Sequence, residues 1–385
     1  MLAAGAAWGN EVIFLLGNDA LQLSRAASGV ASPRSASWVT LNPASIVDLE
    51  KRADLNVCAL YPRVTLRPRG LGGNFLDGDL HSGDLAAIPT GGLILPLSTG
   101  TLGLGMYMPL GAGLDFGHSR NILGRLLPEE YDRRMDYVHG EITLAYAYRF
   151  ENGWAVGAGL SGSLTRCNAD HATSYILPPA HAGEWDQAFG VGFRLGVYRR
   201  WERIAVGAAY TSPHWVQRFD LYRDVLWYPI DLPQSIQAGV AFKLAPKWEL
   251  TVAVKYQDWG SMDFFGRKAA EGGLHWHDQH TIKAGIEWKA TERYTFMAGF
   301  SHANTPIDED HVFTSALAPA CVEDHLTFGA SITVSERTQI HLVYLHAFAN
   351  TLVDSGRGDF YSVLGKGSEL TTAADCLALG YTIRF

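Results

Sequence analysis

Residues 235–259 read SIQAGVAFKLAPKWELTVAVKYQDW, two alternating runs joined by a short turn. In the second run Leu250, Val252, Val254 and Tyr256 share one face, and Thr251, Ala253, Lys255 and Gln257 share the other. In the first, Ile236, Ala238, Val240 and Phe242 oppose Ser235, Gln237, Gly239 and Lys243. Side chains alternate sides along a strand, so a period of two marks strands with one apolar and one polar face. HTIKAGIEW (280–288) and the terminal LALGYTIRF (377–385) repeat the pattern.

Working outward, about fourteen such runs are read, starting with 55–66, 87–96, 101–110 and 137–149 and ending with 338–348 and 373–385. Six connections are tight: LSTG, ENG, RWE, LAPKW, KATER and VSER. Seven are long, centred near 75, 122, 175, 222, 268, 312 and 360, and long and short alternate strictly. An up-and-down antiparallel sheet sends alternate connections to opposite ends. Outer-membrane barrels have short periplasmic turns, long extracellular loops and an even strand number. Both chain ends then fall on the periplasmic side. A soluble β-sandwich also alternates, but its turns need not sort by length. Trp154, Trp201, Tyr210, Trp248, Trp259, Trp288 and Tyr294 lie near strand ends, as interfacial girdles do.

Composition agrees. Of 385 residues 47% are hydrophobic and 18% charged, below the roughly 25% charged of soluble domains. No run of about 18 apolar residues offers a membrane helix. A net charge of −8 gives no basic face for nucleic acid. Cys58, Cys167, Cys321 and Cys376 form no C-x-x-C pair, and whether Cys167 and Cys321 join is left open. LAAGAA (2–7) reads as the small-residue end of a secretory signal that has lost its front, or as the start of a chain that is not exported.

Three stretches carry a resemblance: SRAASGVASPRSASWVTLNPASIVDL (24–49), LGLGMYMPLGAGLDFG (102–117), and LPQSIQAGVAFKLAPKWELTVAVKYQDW (232–259) followed by a turn and strand ending MAGFSHANTPI (297–307). They resemble the FadL family of outer-membrane transporters for long-chain fatty acids and hydrophobic compounds, TodX-like aromatic hydrocarbon channels included. The resemblance implies a 14-stranded barrel with an N-terminal hatch in its lumen. It implies loop capture of a hydrophobic substrate, a lumenal pocket, hatch movement, and lateral release at a kink in the third strand. No enzyme activity and no cofactor follow from it. The implied partners are the substrate, outer-membrane lipid of a Gram-negative cell and the barrel-assembly machinery, with the chain acting as a monomer. A nonspecific aqueous porin and an adhesion or structural barrel are the alternative readings.

Residues 1–50 are the hatch candidate, 1–8 of them a possible signal remnant, and 51–385 the barrel with seven long extracellular loops. Gly29, Pro33, Asn42, Pro43 and Ala44 supply the turns and breaks of a non-strand plug. Gly103, Gly105, Pro109 and Gly111 are the gate candidates, because glycine and proline inside a strand mark bulges and lost ladder bonds. Ile122, Leu123, Leu126, Leu127, Ile176, Leu177, Val225, Leu226 and Trp227 are apolar loop residues suited to substrate capture. Alternation turns Arg149, Arg194, Lys243, Lys255, Lys283, Glu287 and Arg384 into the lumen; most need a partner there, and one could receive a substrate carboxylate. No metal is expected: the HWH of 275–277 offers two ligands on one face and no identifiable third. A lipase reading is weak, since G-x-S-x-G is missing.

Overall fold

A computed structural model describes residues 15–73, 78–120, 130–170 and 179–385. The wall is built in chain order from β1 (Arg52–Arg67), β2 (Ala86–Pro96), β3 (Thr101–Arg120), β4 (Glu130–Arg149), β5 (Trp154–Ala169), β6 (Trp185–Arg200) and β7 (Ile204–Thr211). It continues through β8 (Ser235–Ala245), β9 (Trp248–Gln257), β10 (Gln279–Lys289), β11 (Tyr294–Ala303), β12 (Asp324–Ser335), β13 (Thr338–Val353) and β14 (Glu369–Arg384). Every strand pairs antiparallel with its neighbours, and β14 returns to β1 in register from Arg52↔Arg384 to Arg67↔Glu369. The result is a closed 14-stranded up-and-down barrel. Closure gives every wall strand a partner on both sides, which is what lets strands cross lipid. Two short pieces, Leu80–Ser82 on β1 and Trp215–Val216 on β6, extend the outer rim.

The side-chain pattern confirms which face meets lipid. Leu55, Leu160, Ile236, Val254 and Leu377 point outward and are exposed, while Thr143, Ala253, Thr281 and Ala378 point inward and are buried. At the short-turn end Trp248 stacks on Trp288 with ring centroids 5.3 Å apart, and Trp154 meets Trp201 edge-on at 6.2 Å. Trp259 departs from the girdle expectation. It is fully buried, packed against Phe265 and Trp276 in the outer loops.

Strand limits differ most at β3 and β4. The glycine-rich stretch after Leu110 continues as strand to Arg120, and β4 begins at Glu130 rather than near 137. Twenty residues at about 3.3 Å each reach roughly 65 Å, far beyond an apolar band of about 25 Å, so this hairpin projects past the membrane. Bulges between Tyr107 and Leu110 and between Asp115 and His118 let β3 bend while keeping β4 as its partner. The question left open for Cys167 and Cys321 is answered by the structure. Cys58 and Cys376 form a disulfide across the β1–β14 seam with Cα atoms 6.5 Å apart, whereas Cys167 and Cys321 are free, buried thiols.

Candidate functional site

Residues 15–49 lie inside the barrel, almost all of them buried. They fold as short helical pieces, Ala20–Leu23 and Trp38–Leu41, and a 3-10 segment Pro43–Asp48. Asp19 caps the first, its carboxylate accepting from the Gln22 N–H at 2.8 Å. Asn42 caps the last through its side-chain oxygen, which accepts from Ala44 N–H at 3.1 Å, and Pro43 follows at the first helical position. The Asn42 amide also donates to Val30 O and to Val197 O of β6, both at 3.1 Å. Asn-Pro-Ala therefore ends one turn, starts another and ties the plug to the wall. Gly29 leaves room for the Trp38 ring, whose Nε1 donates to Gly29 O at 2.7 Å. Pro33 is buried in the same turn, its carbonyl accepting from Arg34.

The wall is shaped for this plug by glycine. A Cβ at Gly103 would strike Val39, at Gly157 Ala44, at Gly239 Val30, at Gly285 Arg25, at Gly329 Ser24 and at Gly380 Ala20. These glycines sit on six different strands, all on the lumenal face. Plug side-chain and backbone atoms crowd even a Cβ at these positions, so the lumen is narrowed by the plug and widened by missing Cβ atoms.

Charge supplies the second attachment. Arg34 of the plug meets Glu249 of β9 at 2.7 Å and Glu287 of β10 at 3.0 Å, and buried Arg25 lies 3.3 Å from Glu249. Burial, with the neighbouring Arg34 cation, pulls the Arg25 guanidinium below its ordinary value. Burial likewise pushes the Asp19 carboxyl up, against hydrogen bonds from Ser35 and Gln22. Asp48 receives Arg149 and, at 2.8 Å, Arg200. Of the charges assigned to the lumen by alternation, Arg194 pairs with Glu141 inside the barrel, Glu287 with plug arginines, Arg149 with Asp48 and Arg384 with Glu50. Lys243 is exposed at the periplasmic mouth beside Arg200 and Glu249. Lys255 and Lys283 line a cavity of about 110 Å³ together with Leu15, Leu16, Gln22, Glu141 and Arg194. Glu141 and Glu249, outside the set of lumenal charges expected from sequence, share the inward parity of Arg149 and Lys255 on the same two strands. Arg25 and Arg34 carried no such signal, because the plug has no strand period.

The third strand behaves differently from its neighbours. Among the described residues β2 and β3 pair only from Gly91↔Met106 to Pro96↔Thr101, the shortest ladder between barrel neighbours. From Tyr107 outward β3 leaves β2, while Ala86–Thr90 of β2 stay paired to β1. Higher up, the Asp115 N–H donates to Ser82 Oγ at 3.0 Å, so the separation is bounded above as well as below. Gly103 faces the plug, Gly105 makes room for the Tyr107 ring, and Pro109 and Gly111 fall at and just past the first bulge. Tyr107 OH donates to Ala36 O of the plug at 3.1 Å. Behind the separation lies an apolar group that includes Leu16 and Leu23 of the plug, Leu60, Ile88 and Leu345, with Met108 packed against it.

The outer mouth is covered by loops. Phe219, Tyr222, Leu226, Trp259, Phe265, Trp276 and Phe313 form one buried cluster with residues of β1, β3 and β14. Of the capture candidates, Leu226 is buried in it, Val225 packs at its edge and Trp227 is 52% exposed. Ile122, Leu123, Leu126, Leu127, Ile176 and Leu177 lie outside the described residues. The HWH motif gains neighbours from the next loop: His277 Nε2 lies 2.8 Å from Asp308, and His275 Nδ1 lies 3.2 Å from His311.

Residues 228–385 match the family described as Outer membrane protein transport protein (OMPP1/FadL/TodX). No curated protein matches the sequence. Solved structures match nearly end to end. The P. putida toluene transporter TodX superposes with TM-score 0.73 at 14% identity, covering 96% of this chain and 99% of its own. A Pseudomonas aeruginosa FadL homologue gives 0.71 at 15%, covering 97% and 99%. The Ralstonia pickettii toluene transporter TbuX gives 0.69 at 14%, covering 96% and 98%. At such identities the superpositions speak for the fold.

Proposed function

We propose that this chain, whose residues 228–385 match the OMPP1/FadL/TodX family and whose fold is shared with TodX, is a passive, gated channel in the outer membrane of a Gram-negative cell for uptake of hydrophobic molecules, long-chain fatty acids or hydrocarbons. The observation that carries this reading is the parting of β2 from β3 in front of an apolar lumenal group. A molecule leaving past Met108 would pass from apolar side chains to lipid without entering water. An aqueous porin needs an open polar lumen, whereas residues 15–49 and the loop cluster fill this one. In this mechanism exposed loop residues such as Trp227 take substrate from outside. It then passes inward to the cavity beside Leu15 and Leu16, and movement of the plug frees the way to the wall. A fatty-acid carboxylate would be received there by Lys255 and Lys283, and a hydrocarbon would use neither.

The test is a covalent stitch. Pro89 and Met108 each lie two residues beyond the last pair Gly91↔Met106, on either side of the parting, so a disulfide formed between Pro89→Cys and Met108→Cys draws the parting closed. Uptake of labelled oleate and of toluene is measured in a deletion strain, with the barrel checked by its faster migration in unheated gels. Loss of uptake on oxidation and return on reduction is expected. Full uptake by the oxidised pair defeats lateral release. Absence of uptake in the unmodified protein, with large conductance for small ions, defeats the hydrophobic channel itself. Lys255→Met/Lys283→Met should weaken oleate uptake and spare toluene.

A further inference from the structure

The HWH motif of residues 275–277 plays no part in the transport reading, yet its surroundings are built. Trp276 is buried, its Nε1 donating to Ser315 Oγ at 3.1 Å and its N–H to Phe265 O at 2.7 Å. With the indole anchored inward, the flanking imidazoles project to the outer surface of the loops. The His277 N–H donates to Pro306 O at 2.9 Å, which brings the next loop alongside. That loop contributes Asp308, and a turn in which His311 N–H donates to Asp308 O at 3.2 Å puts His311 beside it.

Four donor side chains converge as a result. His311 Nδ1 lies 2.7 Å from Asp308 Oδ1 and 3.2 Å from His275 Nδ1, and His277 Nε2 lies 2.8 Å from Asp308 Oδ2. The donor atoms of His275, His277 and Asp308 all lie within 4.8 Å of one another. A hydrogen-bond network alone fits this poorly, since a His311 Nδ1 that gives its one proton to Asp308 Oδ1 has neither a lone pair to accept from His275 Nδ1 nor a second proton to give it. Two ligands about 2.0–2.1 Å from a tetrahedral zinc ion stand roughly 3.3 Å apart, close to the His275–His311 spacing. Imidazole with one carboxylate suits zinc, copper, nickel and iron, while calcium and magnesium want oxygen sets. The Asp310 N–H donates to Asp308 Oδ1 at 2.9 Å and fixes the carboxylate from behind. His277 is exposed, which leaves an entry path from solvent.

We propose that His275, His277, Asp308 and His311 bind a divalent transition-metal ion of the zinc type, which staples the loop of residues 258–278 to the loop of residues 304–323 at the outer mouth. The two loops also share the buried cluster of Trp259, Phe265, Trp276 and Phe313. The ion would therefore clamp the polar rim of a cap whose centre is held by packing.

The test uses the full chain without a histidine tag, folded in detergent and stripped with EDTA. Cobalt(II) is titrated in and the visible spectrum read. One equivalent giving the intense bands of four-coordinate cobalt, bleached by added zinc, is expected. His277→Ala with Asp308→Asn should weaken binding at least about 100-fold, more than the loss of an outer-shell partner would, while unheated gel migration stays that of the folded barrel. The buried trio His139, Glu141 and His214 also brings ligand atoms together, so His139→Ala serves as control and should leave the titration unchanged. Absence of tetrahedral bands overturns the proposal. So does equal binding by the double variant, or loss of the bands in His139→Ala.

Discussion

The two halves of the barrel are filled by different physics. The periplasmic half holds a segment continuous with the chain's N-terminal side, fitted against lumenal glycines and fastened by Arg25, Arg34, Glu249 and Glu287. The outer half is closed by loops that meet in an aromatic cluster around Trp259, Phe265 and Trp276. Charges and hydrogen bonds have specific geometry and are lost together when a segment shifts, which suits the plug movement proposed above. Apolar packing is non-directional and tolerates small rearrangement, which suits the proposed capture of varied guests by the loops.

The comparison can be broken from the lower side first. Glu249→Gln with Glu287→Gln strands Arg25 and Arg34 without their carboxylates. A buried charge without its partner costs about 3–5 kcal/mol, so planar bilayers should show frequent open-channel conductance where the parent shows little. Barrel melting should move far less than plug occupancy. On the upper side, Phe265→Ala removes a ring packed at 4.7 Å from Trp259 and 4.8 Å from Trp276. Deleting such a ring typically costs about 3–5 kcal/mol. Some of that is recoverable as loops collapse, so the expected effect is faster protease nicking of the outer loops with no change in conductance. An open channel in Phe265→Ala would erase the distinction between the halves.

Smaller effects sharpen it. Gly285→Val pushes a side chain against Ser28 and Arg25. Overpacking costs about 1–3 kcal/mol, a shift in plug occupancy of about 5- to 150-fold, readable as leak of a small sugar into liposomes. Tyr107→Phe removes one hydrogen bond to Ala36 O, worth about 0.5–1.5 kcal/mol. It should raise hydrogen exchange at Ala36 and its neighbours while the wall strands stay protected.

How legible each half is in the sequence follows from the same contrast. The wall obeys a period of two, and a one-residue slip would turn every apolar side chain into the lumen. Strand identity, face and closure therefore follow from runs such as ELTVAVKYQ and from alternating loop lengths. The same parity identified Arg194, Lys283 and Glu287 as lumenal. Parity ends where pairing ends. Trp259 sits two residues past β9 and reads as a girdle aromatic, but it turns inward with the loop. Cys58 and Cys376 are 318 residues apart and meet only because the first strand closes on the last. Asp308 and His311 lie more than thirty residues from His275, and no local pattern connects them. The plug shows through Asn42-Pro43, while its partners in the wall are glycines, which look neutral one at a time.

Those glycines bear on what the plug is for. Glycine within a strand forfeits side-chain packing and costs roughly 0.5–1 kcal/mol relative to alanine, and here the loss recurs from Gly92 on β2 around to Gly380 on β14. A wall thinned at so many points has little lumenal surface to bury by itself. The segment that closes the pore is then also a rib that stiffens the cylinder, and a barrel emptied of it would be softer as well as open.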